Sequence, residues 1–139
     1  LHFPLDLSKE EVKKWSDLVG KENLCLAPKL KPSDHFPHDS LEEASTFLMV
    51  AYSEKSFGGT GPTAAWGRFS NLKQEFPENL WVLAGGLSPS TLEEAILRNL
   101  PQGVDINSGV ESAPGVKNTE KIDQIFSVLK KFTDPSGSI

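Results

Sequence analysis

Residues 80–86 read LWVLAGG, and this stretch decides the class of fold that the sequence adopts. Its first five residues are all apolar and lack the alternation of a half-exposed strand, so we predict a strand covered on both faces. Residues 47–52, FLMVAY, have the same character and predict a second strand of this kind. Such strands are typical of parallel sheets that are covered by their crossover helices, so we expect an α/β fold.

The segments between these strands predict helices. Ser8 and Glu11 form a capping-box pattern, and the pairs Ser40 with Glu43 and Ser90 with Glu93 repeat it. The predicted elements are helices over 9–19, briefly after Ser40, over 66–74, after Ser90 and over 119–132, and strands over 23–30, 47–52, 80–84 and 103–106. Strand and helix alternate about four times at a spacing of roughly 30 residues, the size of one βα unit. We therefore predict about four βα units that share one parallel sheet.

The composition limits the classes of protein that the chain can represent. Its 139 residues are 37% hydrophobic and 24% charged, which fits one globular unit over 1–139 and excludes a disordered chain. A net charge of −5 and a pI of about 5.2 argue against nucleic acid as a partner. No apolar run approaches the roughly 20 residues of a membrane span, and a single cysteine forms no disulfide framework, so we expect a cytoplasmic protein without a membrane partner. The first residue is Leu1 and not Met, so we expect a portion of a longer chain.

Three glycine-rich segments follow the predicted strands: GGTG at 58–61, Gly85-Gly86 and Ser108-Gly109. In parallel α/β folds, ligands bind beyond the carboxyl ends of the strands, where these segments lie. Glycine lets backbone N–H groups approach an anion without obstruction by a β-carbon, and Ser108 adds a hydroxyl. Any one glycine pair has the simpler explanation that it turns a strand towards a helix. Three such segments on one rim favour a phosphate-binding site.

The residues around these loops resemble the phosphoribosylanthranilate isomerase family. The segments that carry the likeness are LAGGLSP at 83–89, GVDINSGVES at 103–112 and PGVK at 114–117 for the family's seventh and eighth strands, residues 58–61 with Trp66 for the sixth, and residues 1–2 for the end of the fourth. The likeness is close from Gly58 to Ile122 and looser before Gly58.

The resemblance implies a (β/α)8 TIM barrel that performs an Amadori rearrangement. The family opens the ribose of phosphoribosylanthranilate and moves a proton to give a ribulose phosphate in tryptophan biosynthesis, and it uses no cofactor. At the matching positions, the family's phosphate-binding residues correspond to Gly85, Gly86, Ser108 and Gly109. Asp105 matches an aspartate near the anthranilate end of the substrate, although an aspartate there also suits hydrogen bonding to local backbone. The implied partner is a phosphorylated sugar joined to anthranilate.

The chain departs from the family pattern in its length. A barrel of this kind takes at least ~200 residues, so this chain supplies roughly strands five to eight. The family's general-base cysteine on strand one, and the arginine that contacts the anthranilate carboxylate, then lie in the other half. Cys25 is in a different strand, so we expect it to be a buried core thiol and not the base.

A second departure concerns the general acid. The family has an aspartate at the end of strand six, whereas Ala51, Tyr52 or Glu54 falls at that position here, depending on the alignment. Glu54 is the candidate acid, because its carboxyl can donate a proton to the ribose oxygen if the loop brings it close. Tyr52 is less suited because a phenol gives up its proton only at high pH. His35 and His38 lie in a proline-rich loop without metal-ligand spacing, so we expect no metal site.

These observations support a leading hypothesis and two alternatives. We expect the C-terminal portion of an isomerase that needs the missing N-terminal half. The alternatives are a non-catalytic phosphate-binding remnant or scaffold, favoured by Ala51, Ala64 and Ala65, and another phosphosugar enzyme on the same scaffold. Because a half barrel exposes strand edges and apolar surface, we expect self-association or pairing with a complementary N-terminal half.

Overall fold

A computed structural model of the chain describes residues 2–4, 8–28, 35–50 and 63–133. The strands are β1 (His2–Pro4), β2 (Cys25–Ala27), β3 (Thr46–Val50), β4 (Leu80–Ala84), β5 (Gly103–Asp105), β6 (Glu111–Ala113) and β7 (Val116–Lys117). The α-helices are α1 (Lys9–Val19), α2 (Thr63–Glu75), α3 (Leu92–Asn99) and α4 (Thr119–Lys130). Short 3₁₀ helices cover Lys21–Asn23, His38–Glu42 and Ser108–Val110.

Strands β1 to β5 form one parallel sheet whose spatial order is the same as their order in the chain. In a doubly wound sheet the order of the strands reverses at a switch point. In a (β/α)8 barrel each strand lies beside the strand that precedes it in the chain. The sheet described here has the barrel type of order. Strands β6 and β7 form a separate antiparallel hairpin between β5 and α4, which the sequence analysis did not predict.

One face of the sheet packs against the helices. Phe47 and Trp81 point to this face and are fully buried with Phe69 of α2 and Leu92 of α3. The rings of Phe47 and Trp81 stack with their centroids 5.3 Å apart, and the Trp81 Nε1–H donates to the Phe76 carbonyl at 2.9 Å. Burial of large apolar side chains stabilises a fold by about 1.5–3 kcal/mol each. This layer therefore fixes the helices against the strands.

The opposite face of the sheet, here called the inner face, carries the side chains of Ala27, Leu48, Val50, Leu80 and Ala84. Ala27, Leu48 and Ala84 form a small buried cluster, but Val50 and Leu80 are 46% and 51% exposed. The prediction that these strands are covered on both faces is therefore correct for only part of their length. In a closed barrel this face is the interior, which side chains from strands all around the barrel fill.

The two capping-box patterns in the first half of the chain form different structures. The Ser8 capping box is confirmed, because the Ser8 hydroxyl accepts from the Glu11 N–H at 3.3 Å and the Glu11 carboxylate accepts from the Ser8 N–H at 2.9 Å. The helix predicted after Ser40 is wrong. The 3₁₀ helix His38–Glu42 already includes Ser40, and the Glu43 N–H donates to the Ser40 carbonyl. Ser40 and Glu43 therefore lie at the end of a helix and not at its start.

The predicted boundaries are accurate where glycine follows an apolar run and less accurate elsewhere. β4 occupies 80–84 as predicted. The strand predicted over 23–30 is confined to Cys25–Ala27, because Lys21–Asn23 forms a 3₁₀ turn, and α4 ends at Lys130 instead of 132. α2 is longer than the predicted 66–74.

Candidate phosphate-binding site

The loops after β4 and β5 lie at the same edge of the sheet. β4 and β5 are parallel neighbours, and the last residue of β4, Ala84, pairs with the last residue of β5, Asp105. Gly85-Gly86 and Ser108-Gly109 therefore follow adjacent strand ends, as the sequence analysis expected. The carboxyl-terminal edge of a parallel sheet is where barrel proteins bind phosphate.

The first loop turns through two glycines in the left-handed region. Gly85 has a φ of 86° and Gly86 a φ of 66°, conformations that residues with a β-carbon adopt only with strain. The Ser88 N–H then donates to the Thr91 hydroxyl at 2.9 Å, and that hydroxyl lies 3.1 Å from the Gly86 carbonyl, to which it donates. Thr91 thus holds the loop closed on itself.

The capping box predicted for Ser90 and Glu93 is wrong. Helix α3 starts at Leu92 with Thr91 at its N-cap, and no side chain caps it. The Ser90 hydroxyl instead lies 3.0 Å from the Ser88 hydroxyl. The serine and threonine hydroxyls in this loop form hydrogen bonds with each other and with loop carbonyls, so they do not cap the N–H groups at the start of α3.

The second loop packs directly onto the first. A β-carbon built on Gly109 would lie 2.8 Å from the carbonyl carbon of Leu87, closer still to its oxygen, and 3.1 Å from the α-carbon of Ser88. No real side chain fits at such distances, so only glycine allows the two loops to touch. Glycine is required at position 109 because the two loops approach closely there, and not because of its backbone conformation, since Gly109 is not among the residues with positive φ.

Backbone donors remain available on this rim. Within the described residues, no hydrogen bond uses the N–H groups of Gly86, Ser108 or Gly109, whereas the neighbouring Val110 N–H donates to the Asn107 carbonyl at 3.3 Å. Clusters of backbone N–H groups without an internal acceptor form concave sites for anions. The arrangement can therefore hold a phosphate by main-chain donors from both loops.

The β6–β7 hairpin stabilises the second loop from behind. The Lys117 Nζ donates to the Asn107 carbonyl at 3.0 Å, to the Asn107 side-chain oxygen and to a Glu111 carboxylate oxygen at 2.7 Å. The pKa of Glu111 is held below its ordinary value, chiefly by the hydrogen bond from Lys117 and to a lesser extent by that from the Gly115 N–H. Lys117 belongs to the PGVK motif at 114–117, and the Pro114-Gly115 turn is the signal in the sequence from which the hairpin could be predicted.

Asp105 and Cys25 share the inner face. Asp105 is exposed at the end of β5, and no hydrogen bond joins its carboxylate to another described residue, which disfavours the local-backbone explanation of this aspartate. Cys25 is half-buried on β2, where burial chiefly, and the Asp105 carboxylate in addition, raise the pKa of its thiol. The raised pKa favours the protonated thiol near neutral pH, in line with the expectation that Cys25 is not the base.

Several predicted site residues fall outside the part of the chain that the structure describes. Glu54, with the alternatives Ala51 and Tyr52, lies there, and so does the glycine loop at 58–61. Ala64 and Ala65 belong to the backbone of α2. The general-acid assignment thus stays a prediction from sequence.

Among the residues placed by the structure, no three His, Cys, Asp or Glu side chains lie together in a way that could hold a metal ion. None of the helices described is both long enough and apolar enough to cross a bilayer.

Strands paired in chain order, helices on one face and glycine loops on the carboxyl-terminal rim define a (β/α)8-barrel protein. The family model described as N-(5'phosphoribosyl)anthranilate (PRA) isomerase matches residues 7–128. The chain belongs to this family, which confirms the resemblance predicted from its motifs.

Individual relatives agree with the family match. The chain is 33% identical over 129 residues to the N-(5'-phosphoribosyl)anthranilate isomerase of Microcystis aeruginosa, covering 91% of this chain and 59% of that protein. It is 40% identical over 128 residues to that of Synechococcus elongatus, again covering 91% of this chain and 58% of the relative. The solved phosphoribosyl anthranilate isomerase from Thermococcus kodakaraensis superposes with a TM-score of 0.68 at 26% identity, over 93% of this chain and 63% of that one. The chain thus spans less than two thirds of these relatives.

Proposed function

We propose that this chain provides the C-terminal part of a phosphoribosylanthranilate isomerase, which carries out the Amadori rearrangement of tryptophan biosynthesis in the cytoplasm. The observation that carries the proposal is the contact between Gly109 and the main chain of Leu87, because it joins the loops after two neighbouring strands into one rim. Gly85, Gly86, Ser108 and Gly109 then bind the phosphate of the substrate. Hydrogen bonds to a charged group contribute about 1.5–3 kcal/mol each.

Asp105 is the proposed contact for the anthranilate end of the substrate. It ends the strand that leads into the second loop, so a ligand held there by its phosphate has its other end within the mouth of the barrel. The carboxylate is exposed on the inner face and accepts no hydrogen bond from the described residues, so it is free to accept one from the substrate.

The proposed reaction moves a proton between atoms of one molecule, so it balances without a cofactor. Opening of the ribose needs a proton on the ring oxygen, and Glu54 is the proposed donor. A base must then remove a proton from the sugar carbon next to the imine. Cys25 lies on β2, a strand that does not match the family's first, and burial raises the pKa of its thiol, so the proposed base comes from the N-terminal half.

The inner face supports a complementary N-terminal half as the partner that supplies the base. Val50 and Leu80 are half exposed there beside the buried Leu48 and Ala84. Apolar side chains at these positions suit packing against the remaining strands of a barrel. Self-association of two copies is the other outcome, and it would cover the same face without providing the base.

The test compares two glycine-to-alanine variants of the intact polypeptide that carries this chain. Gly109→Ala forces the two loops apart, so we expect turnover of phosphoribosylanthranilate and affinity for inorganic phosphate to fall about ten- to a hundredfold. Gly67→Ala is the matched control, because a β-carbon there meets nothing within 4 Å. Unchanged turnover in Gly109→Ala would contradict the proposed site. Phosphate binding without any turnover in the unaltered protein would instead indicate a non-catalytic phosphate-binding barrel.

A further inference from the structure

Lys117 contacts the loop of the proposed phosphate site through three acceptors. Its Nζ donates to the carbonyl of Asn107 at 3.0 Å, to the side-chain oxygen of the same residue and to Glu111 Oε1 at 2.7 Å. An ammonium group has three N–H donors. All three are thus engaged within the protein, so Lys117 does not need the phosphate as an acceptor.

These contacts fix the residue that directly precedes the Ser108-Gly109 pair. The Asn107 carbonyl accepts from the Lys117 ammonium and also from the Val110 N–H, which uses both of its lone pairs. At the other end of the turn, the Asn118 N–H donates to the Val110 carbonyl at 2.8 Å. The turn that presents Ser108 and Gly109 is thereby held at both ends by the hairpin region.

We propose that Lys117 is a positioning residue for phosphate binding: by holding Asn107 against Glu111, it keeps the N–H groups of Ser108 and Gly109 aimed at the rim. This inference rests on the proposed function and adds a residue to it that contacts no substrate. The ion pair to Glu111 aids the positioning, since Lys121 also donates to the Glu111 carbonyl at 2.6 Å and fixes that residue from the far side.

A positioning role and a simple effect of charge predict opposite changes in phosphate affinity for Glu111→Gln. If Lys117 acted only through its positive field, Glu111→Gln would remove a negative charge near the phosphate and strengthen binding. If Lys117 acts by position, Glu111→Gln weakens its hold and therefore weakens phosphate binding. Lys117→Met weakens binding under both explanations, so the glutamate variant separates them.

The experiment titrates the intact polypeptide with inorganic phosphate and follows the backbone amide resonances. We expect Lys117→Met to weaken phosphate binding about tenfold and Glu111→Gln about threefold, in the range of one charge-assisted hydrogen bond. In Lys117→Met, the amides of Gly85 and Gly86 still shift with phosphate, whereas those of Ser108 and Gly109 shift much less. Lys117→Arg restores binding, since a guanidinium can donate to the same acceptors.

Lys131→Met is the matched control, because Lys131 forms an ion pair with Glu93 at 2.9 Å and is exposed to a similar degree, 56% against 44% for Lys117. We expect its phosphate affinity to equal that of the unaltered protein. Tighter phosphate binding by Glu111→Gln, or binding by Lys117→Met within twofold of the unaltered protein, would overturn the positioning role while leaving the phosphate site intact. An unaltered protein that binds no phosphate at this rim would overturn the proposed site and this inference together. Dispersed amide spectra show which variants are folded. If Lys117→Met is not folded, Glu111→Gln alone tests the positioning role.

Discussion

Cys25 and Asp105 lie on the same face of the sheet with two strands, β3 and β4, between them, and the Asp105 carboxylate adds to the burial that raises the pKa of the Cys25 thiol above its ordinary 9.0. A thiol that stays protonated is a poor nucleophile. We expect alkylation of Cys25 to become fast only above about pH 9, and we expect Asp105→Asn to move that rise to lower pH. The dependence of labelling rate on pH, followed by mass spectrometry, measures both. Fast labelling at neutral pH would show that the thiol is activated.

The same relationship predicts the outcome of replacing the cysteine. Cys25→Ser removes the thiol and leaves a side chain of similar size, so we expect turnover in the intact polypeptide to change by less than about twofold if the base lies elsewhere. Loss of turnover with retained phosphate binding would instead place the base on Cys25.

Trp81 predicts a measurable loss of stability when its polar contact is removed. Trp81→Phe keeps most of the buried ring but removes one of two donors to the Phe76 carbonyl, which also accepts from the Asn79 N–H at 3.3 Å. We therefore expect a loss of about 0.5–1.5 kcal/mol in the free energy of unfolding, the net value of one hydrogen bond. Denaturant titration measures the change. Phe126→Leu is the control, because this ring is 58% exposed, and we expect it to be close to neutral. Equal stability of Trp81→Phe and the unaltered protein would show that the bond contributes nothing.

The Glu111 carboxyl predicts a pH dependence of the β6–β7 hairpin. The pKa of this carboxyl is lowered from the ordinary 4.5. Its contribution to the stability of the hairpin is therefore complete above pH 4.5 and is lost as the pH falls through the pKa of the folded state. We expect the hairpin amides to keep their protection from exchange at pH 4.5 and above, and to lose it at lower pH. In Glu111→Gln this acid-dependent step is absent. A step at or above the ordinary value would contradict the ion pair.

The exposed apolar residues of the inner face predict how the chain associates. Val50→Lys places a charge on that face, so we expect it to weaken assembly with a separately produced N-terminal half, or self-association, at least about tenfold. Leu18→Lys is the control on α1, where the side chain is 70% exposed. Analytical ultracentrifugation distinguishes the assemblies. Equal effects of the two variants would indicate non-specific contacts.

The sequence was sufficient to predict the parts of the fold that depend on local pattern. β4 was placed residue for residue, because its apolar run ends at two glycines that cannot continue a buried strand. The Ser8 capping box was correct because both partners lie within one turn of α1. The parallel α/β class followed from the repetition of such units along the chain, whereas the (β/α)8 barrel was implied by the resemblance to the family.

What the sequence could not predict depends on contacts between distant segments. The patterns at Ser40 and Ser90 matched a capping box, but other acceptors and donors compete for those groups in the folded chain. Lys117 reaches Asn107 across ten residues because a hairpin brings them together, and a lysine alone does not reveal which oxygen it will find. The contact of Gly109 with Leu87 is likewise visible only in three dimensions.

Pairing in chain order has a consequence for synthesis on the ribosome. Each of β2 to β5 hydrogen-bonds to the strand made immediately before it, so no strand waits for a later segment before it can join the growing sheet. Folding of this kind can follow translation from one edge of the sheet to the other, with short loops to close at each step. The rim formed by the loops after β4 and β5 is then among the last parts to form, since it needs β4, β5 and the hairpin together. Its loops are complete only when residues 111–117 have left the exit tunnel.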